Sequence, residues 1–280
     1  MKNLIRFDWA VKRLLRNKAN FGILEGFLSE LIGEDIKIES ILESETNKDY
    51  KEDKLTRVDL LVKNTKGELI IIEIQNNREH DYLLRILFGT SKLLIKNMDE
   101  GMKYSEIKKV ISVNIVYFDL GQGEDYIYHG TTSFIGLNKK DTLQLSHEQQ
   151  LLYKTEKISK LYPEYYVIKV NQFNDVAKNT LDEWIYFFKK EEIKDEFKAK
   201  GLKQAKEELN ILKLSEIERK EYEHFIEQVR YEESLIVSNY RVGKEETKIE
   251  IAKKCLQKGM SLDEIADLTG IPKADIEKLH

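Results

Sequence analysis

The sequence predicts an α/β unit followed by a charged helical extension, and three observations carry that reading. Residues 1–190 are rich in β-branched runs and hold 29 bases against 29 acids, whereas residues 191–280 hold 17 bases and 21 acids with no strand-like alternation. The only prolines among 280 residues are Pro163 and Pro272, so long helices can run uninterrupted. An apolar content of 41% is enough for a buried core, and a charged content of 34% belongs to long solvated helices. The expected division falls at 192/193.

The elements follow in order. Residues 4–16 and 20–32 have helical spacing, with Gly33 as a stop signal. Residues 36–46 alternate as a strand, and 47–54 read as an exposed loop. Two strands at 56–64 and 68–76 precede a helix at about 79–97. Residues 108–119 form a nearly continuous apolar run, the signature of a buried central strand. Short strands are expected at 126–137 and 164–170. A helix over 180–190 has Thr180 and Glu183 at capping-box spacing. Two charged helices are expected at 193–212 and 215–239, the second opened by Ser215 with Glu218. Gly259, Ser261, Gly270 and Pro272 punctuate a terminal pair of short helices that resembles part of a helix-turn-helix.

Composition excludes several functions. The net charge is −4, so nucleic-acid contact has to come from local patches. No run of about 18 apolar residues exists, so no membrane span is expected. The single cysteine, Cys255, rules out an internal disulfide framework and a cysteine-built zinc site, and fits a reducing, cytoplasmic compartment. The first 18 residues carry six bases against Asp8, as a transit peptide does, but Trp9, Val11, Leu14 and Leu15 read as the buried face of an opening helix. The five histidines lack metal-ligand spacing, and Gly121-Gln122-Gly123 lacks the third glycine of a phosphate-cradling loop, so no nucleotide cofactor is expected.

The informative segment is the pair of strands around Thr65-Lys66-Gly67. A three-residue hairpin loop with glycine at the positive-φ position pairs Asn64 with Glu68. Counting back along the ladder places Asp59 opposite Glu73, with their Cβ atoms about 4.5–5.5 Å apart on one face. Two opposed carboxylates repel, so a cleft location calls for a shared proton or a cation such as Mg²⁺, which takes oxygen ligands. A solvated outer face would explain the same pattern, and the pattern alone leaves both readings open.

An Asp, a turn, and then Glu73-Ile74-Gln75 after an apolar run resembles the PD-(D/E)XK nuclease superfamily. More narrowly, the chain resembles the Rpn family of recombination-promoting nucleases and putative transposases. The resemblance includes Asp8-x-x-x-Lys12, Phe21-x-x-x-Glu25-x-Phe27-Leu28, Arg57-x-Asp59, Tyr82, Arg85, Leu181-Asp182-Glu183-Trp184 and Gly259-Met260-Ser261-x-x-x-Ile265-Ala266-x-x-Thr269-Gly270. It implies a PD-(D/E)XK nuclease-like α/β core, with a mixed β-sheet flanked by helices, plus the C-terminal helical extension.

The resemblance further implies that Asp59 and Glu73 hold Mg²⁺ or Mn²⁺, with the main-chain carbonyl of Ile74 as a further ligand. Gln75 stands where the superfamily usually has lysine, and Val58 where its name has proline. A lysine supplies positive charge beside the scissile phosphate, and glutamine can only orient water or ligand through hydrogen bonds. Glu25 is the candidate additional acid. Arg78, Tyr82 and Arg85, on one helical face, are the candidate DNA contacts, and Leu83, Leu84, Leu87 and Phe88 are expected in the core. The implied activity is metal-dependent DNA endonucleolytic hydrolysis in recombination or transposition, by a homodimer acting on DNA. Two alternatives stay open: a catalytically weak nuclease-fold DNA-binding or regulatory module, and a helical interaction protein.

Overall fold

The structure is a computed structural model that describes residues 4–13, 20–42, 59–98 and 101–279, without the side chains of residues 12, 13 and 212. Leu14, Leu15, Arg57, Val58 and the expected loop at 47–54 lie outside the described residues. The chain divides into two compact units, Met1–Leu214 and Ser215–His280.

The first unit is built on a six-stranded mixed sheet. Its strands are β1 (Ile38–Leu42), β2 (Leu60–Asn64), β3 (Leu69–Gln75), β4 (Val110–Val116), β5 (Ile127–Gly130) and β6 (Glu164–Lys169), in the spatial order β1-β2-β3-β4-β6-β5. β3, β4 and β6 run parallel, and the remaining pairings are antiparallel. Every residue of β4 is buried, as the continuous apolar run in this central strand requires. The expected strand at 126–137 shortens to β5, because its partner β6 begins at Glu164, one register step beyond the Gly130↔Tyr165 pair.

The β2–β3 hairpin has the register its turn dictates. Leu60 pairs with Ile72, Leu61 with Ile71, Val62 with Ile70 and Lys63 with Leu69. Asn64 closes the loop: its N–H donates to the Glu68 carbonyl at 3.0 Å, and its carbonyl accepts from Gly67 N–H at 2.9 Å. Gly67 has φ +78°, a value that favours glycine. The Asn64 side-chain oxygen also accepts from the main chains of Lys66 and Glu68.

Helices cover this sheet. α1 (Phe7–Arg13), α2 (Phe21–Ile32, ended by Gly33) and α5 (Thr180–Lys190) meet through Phe7, Phe27, Trp184, Phe187 and Phe188, with the Phe7 and Phe188 rings stacked at 4.4 Å. Asn179, not Thr180, caps α5 by accepting from Asp182 N–H. Thr180 donates instead to Glu30 at 2.6 Å, and Glu183 accepts from the main chains of Lys198 and Ala199. Residues 193–201 are not helical, and α6 spans only Leu202–Glu208. α6 packs on α2 with Leu202 and Ala205 buried, and a Cβ at Gly26 would collide with the Lys200 carbonyl. This packing carries the first unit to Leu214, past the expected boundary at 192/193.

α3 (Tyr82–Lys96) lies over the face of the sheet that holds Leu61, Leu69 and Ile71, packing on it with Leu93 and Leu94. Leu83, Leu84, Leu87 and Phe88, expected in the core, are exposed; only Tyr82, Ile86 and Thr90 of this helix are buried. The spacing alone identified an apolar stripe but not which side of the helix meets the sheet.

The second unit opens with α7 (Glu216–Gln257), capped by a Ser215–Glu218 box. This helix runs well past the expected 239, since Gly243 is the sole glycine within it and proline is absent. Its last turns, α8 (Leu262–Thr269, capped by Ser261) and α9 (Lys273–Ile276) share a small core of Ala252, Ile265 and Ile276. Lys273 pairs with Asp263 and Lys278 with Asp275. Among the described residues, no helix is long and apolar enough to cross a membrane.

Candidate active site

The hairpin brings two acids to the end of β3. Leu60 faces Ile72, so Asp59, immediately before β2, is the next residue opposite Glu73. The Asp59 carboxylate accepts from the N–H of Ile74 at 2.7 Å, which anchors it to the strand that carries Glu73. Glu73 and Gln75, two residues apart, project to one face. Opposite them on β3, Ile70, Ile72 and Ile74 are closed to solvent. A Cβ at Gly89 of α3 would lie 3.9 Å from Glu73 Oε1, so the helix meets the carboxylate with its one residue lacking a side chain.

The Glu73 side chain is 12% exposed, and its nearest cation among the described residues is Arg85 Nε at 3.9 Å, beyond hydrogen-bonding range. Burial pushes its pKa up to about 7; Arg85 pulls it down, while Asp59 and Glu79 push it further up. Arg85 is shared, because its Nη1 donates to Glu79 Oε1 at 2.6 Å. The same Glu79 oxygen accepts from Gln75 Nε2 at 2.7 Å, and the Gln75 amide also reaches the Asn77 carbonyl.

The other expected site residues separate from this group. Glu25 sits on α2, accepting from Ile38 N–H at 2.8 Å and from Lys37 at 3.2 Å. Ile38 pairs with Asn64, at the turn end of the hairpin. Asn64 and Asp59 are five residues apart, about 16 Å of strand, so Glu25 does not join Asp59 and Glu73. Tyr82 is 0% exposed with its hydroxyl 3.5 Å from Asn114, so its side chain packs inward against the sheet. Burial pushes that hydroxyl well above the ordinary phenol range. Arg78 is exposed and turns toward Asp119. Of the three candidate DNA contacts, Arg85 alone stands beside the acids.

Glu79 and Asn114 were not singled out from the sequence, and Asp8 entered only through the Asp8-x-x-x-Lys12 motif, without its partners. Glu79 ties Gln75 to Arg85 from a loop, where no periodicity marks it. Asn114, fully buried and in register with Glu73, interrupts the apolar run of β4, and that interruption was a legible signal. Asp8, buried on α1, pairs with Arg6 at 3.1 Å and accepts from Asn76 at 3.2 Å, while Arg6 also donates to Asn76 at 3.0 Å. This triangle clamps the residue that follows Gln75.

A hard divalent cation fits the donor set at Asp59 and Glu73. Both are carboxylates, burial and then the neighbouring Asp59 and Glu79 raise the Glu73 pKa to about 7 against the pull of Arg85, and Mg²⁺ is commonly bound by one or two carboxylates with waters completing the shell. Among the described residues no group of three or more His, Cys, Asp or Glu side chains is arranged to hold a metal.

A mixed sheet flanked by helices, with an Asp and a Glu opposed across a hairpin and Glu-Ile-Gln on its second strand, defines the PD-(D/E)XK nuclease fold. The chain belongs to the PD-(D/E)XK nuclease family transposases, whose family model matches residues 5–238. That membership agrees with the resemblance to Rpn-type putative transposases and links this nuclease-fold protein to transposition. Comparison with curated proteins and with solved structures gives no match.

Proposed function

We propose that this protein is a divalent-metal-dependent DNA endonuclease that hydrolyses phosphodiester bonds during recombination or transposition of mobile DNA. The observation that carries the reading is Glu73, a largely buried carboxylate beside Asp59 whose ion-pair partner among the described residues, Arg85, is shared with Glu79. In this reading Asp59, Glu73 and the Ile74 carbonyl hold Mg²⁺ or Mn²⁺. Held there, such an ion would lower the pKa of a bound water and polarise the scissile phosphate. Arg85 supplies the positive charge that Gln75 lacks, and Gln75, positioned by Glu79, orients water or phosphate through its amide. Two copies provide one site for each strand of a duplex, and the compartment is the cytoplasm.

The test is incubation of the purified chain with plasmid and Mg²⁺ or Mn²⁺, wild type beside Asp59→Ala. Cutting that requires metal and disappears in the variant is the expected result. A second reading, a catalytically weak nuclease fold used to bind DNA, draws on the engagement of the Gln75 amide by Glu79 and Asn77. Retained DNA binding without cutting supports that reading. Loss of both leaves the helical unit as the functional part.

A further inference from the structure

Residues 231–240 of α7 are exposed at every position. An exposed stretch of helix gains little from tertiary packing, the usual main source of helical stability. Yet Tyr231, Leu235, Val242 and Ile249 recur at intervals of four, seven and seven and fall on one face, with Ile217 two heptads earlier on the same face. All five are exposed, Tyr231 at 66%, Val242 at 53% and Leu235 at 42%. Apolar residues at this spacing on a charged helix, interrupted by His224 and Ser238, have the periodicity of a helix-pair seam.

The charges identify the partner. Residues 216–233 carry seven acids against three bases, and residues 234–257 carry five bases against three acids. A second copy laid parallel would set acid on acid and base on base. Laid antiparallel, about an axis near the middle of α7, it sets the acidic half of each helix on the basic half of the other and opposes the two macrodipoles. One surface that complements itself in both charge and apolar seam is what an isologous two-fold interface requires.

We infer that the exposed middle of α7 docks α7 of a second copy of this chain, the two helices running antiparallel. The inference deepens the two-copy part of the proposed function and rests on that part alone. Lipid surfaces and nucleic acid are the competing occupants.

The test is the solution mass of the full chain by light scattering at micromolar concentration without DNA or lipid. The expected mass is twice 33.0 kDa. The double variant Leu235→Lys/Val242→Lys, altered only at exposed positions, should give the single-chain mass with unchanged helical circular dichroism. Polarity is read in a Cys255→Ser background by mixing Ile217→Cys and Ile249→Cys chains with a flexible bis-maleimide. Antiparallel docking yields the mixed 217–249 product, whereas preferential 217–217 coupling overturns the inference. A single-chain wild-type mass overturns it too, as does doubling only on addition of anionic vesicles or DNA. Mass and plasmid cutting are separate readouts. A dimer that does not cut rejects the nuclease, and a monomer that cuts rejects the docking surface.

Discussion

Two glutamates buried in the same sheet are held in opposite states. Glu164 opens β6 with 3% of its side chain exposed, and it is surrounded by Lys109 at 2.6 Å, His129 at 3.1 Å and Lys160 at 3.4 Å. Burial raises its pKa, but the lysines outweigh burial and bring it to about 2. Glu73, near the end of β3, has among the described residues only the distant and shared Arg85, and burial leaves it at about 7. Desolvation is common to both sites; the described counter-charge is not. Among the described residues the chain builds a full cation shell around one glutamate and a partial one around the other.

Breaking the complete shell should have the largest effect. Glu164→Gln leaves Lys109, 9% exposed, with only Glu68 at 3.8 Å, and should destabilise the fold by about 3 kcal/mol in urea unfolding at pH 7. Completing the incomplete shell comes next. Mg²⁺ or Mn²⁺ at one hundred times its dissociation constant should stabilise wild type by about 2.7 kcal/mol. Neither Glu73→Gln nor Asp59→Ala should show that gain in thermal melts with and without metal.

The pH dependence separates the two glutamates. The folded protein keeps the Glu73 proton up to about pH 7, whereas an unperturbed glutamate releases it near 4.5, so wild type loses stability as pH rises through that window. Glu73→Gln removes this loss and should be about 1–2 kcal/mol more stable than wild type at pH 8 without metal, while no longer cutting DNA. Glu164 acts in the opposite sense: its contribution is present above about pH 4.5 and disappears as pH falls toward about 2. Gln75→Lys should have the smallest effect on stability, since the ammonium can take over the contact to Glu79, and should keep or raise cutting. A folded Gln75→Lys chain that does not cut plasmid would reject the placement of Gln75 beside the scissile phosphate.

Much of the local structure was legible in the sequence. Thr65-Lys66-Gly67 set the hairpin register, and with it the opposition of Asp59 and Glu73, because strand side chains alternate with period two from a known turn. Ser215, Ser261 and Gly33 marked helix ends for similarly local reasons. The errors arose where distant partners competed. Thr180 lost its capping role because Glu30 takes its hydroxyl, Glu25 is drawn to β1, and Tyr82 faces the sheet while Leu84 and Phe88 face outward.

By itself, then, the sequence determined which residues could form strands and helices, where turns fall, and that two carboxylates meet across one hairpin. These depend on backbone geometry over a few residues, and the chain carries that information wherever it sits. Tertiary structure alone decided that, among the described residues, Glu73 has only a shared arginine while Glu164 has several cations, that Glu79 joins Gln75 to Arg85, and that the first unit extends to Leu214. Electrostatics and burial are sums over neighbours brought together from far along the chain, and no local pattern of residues contains those sums.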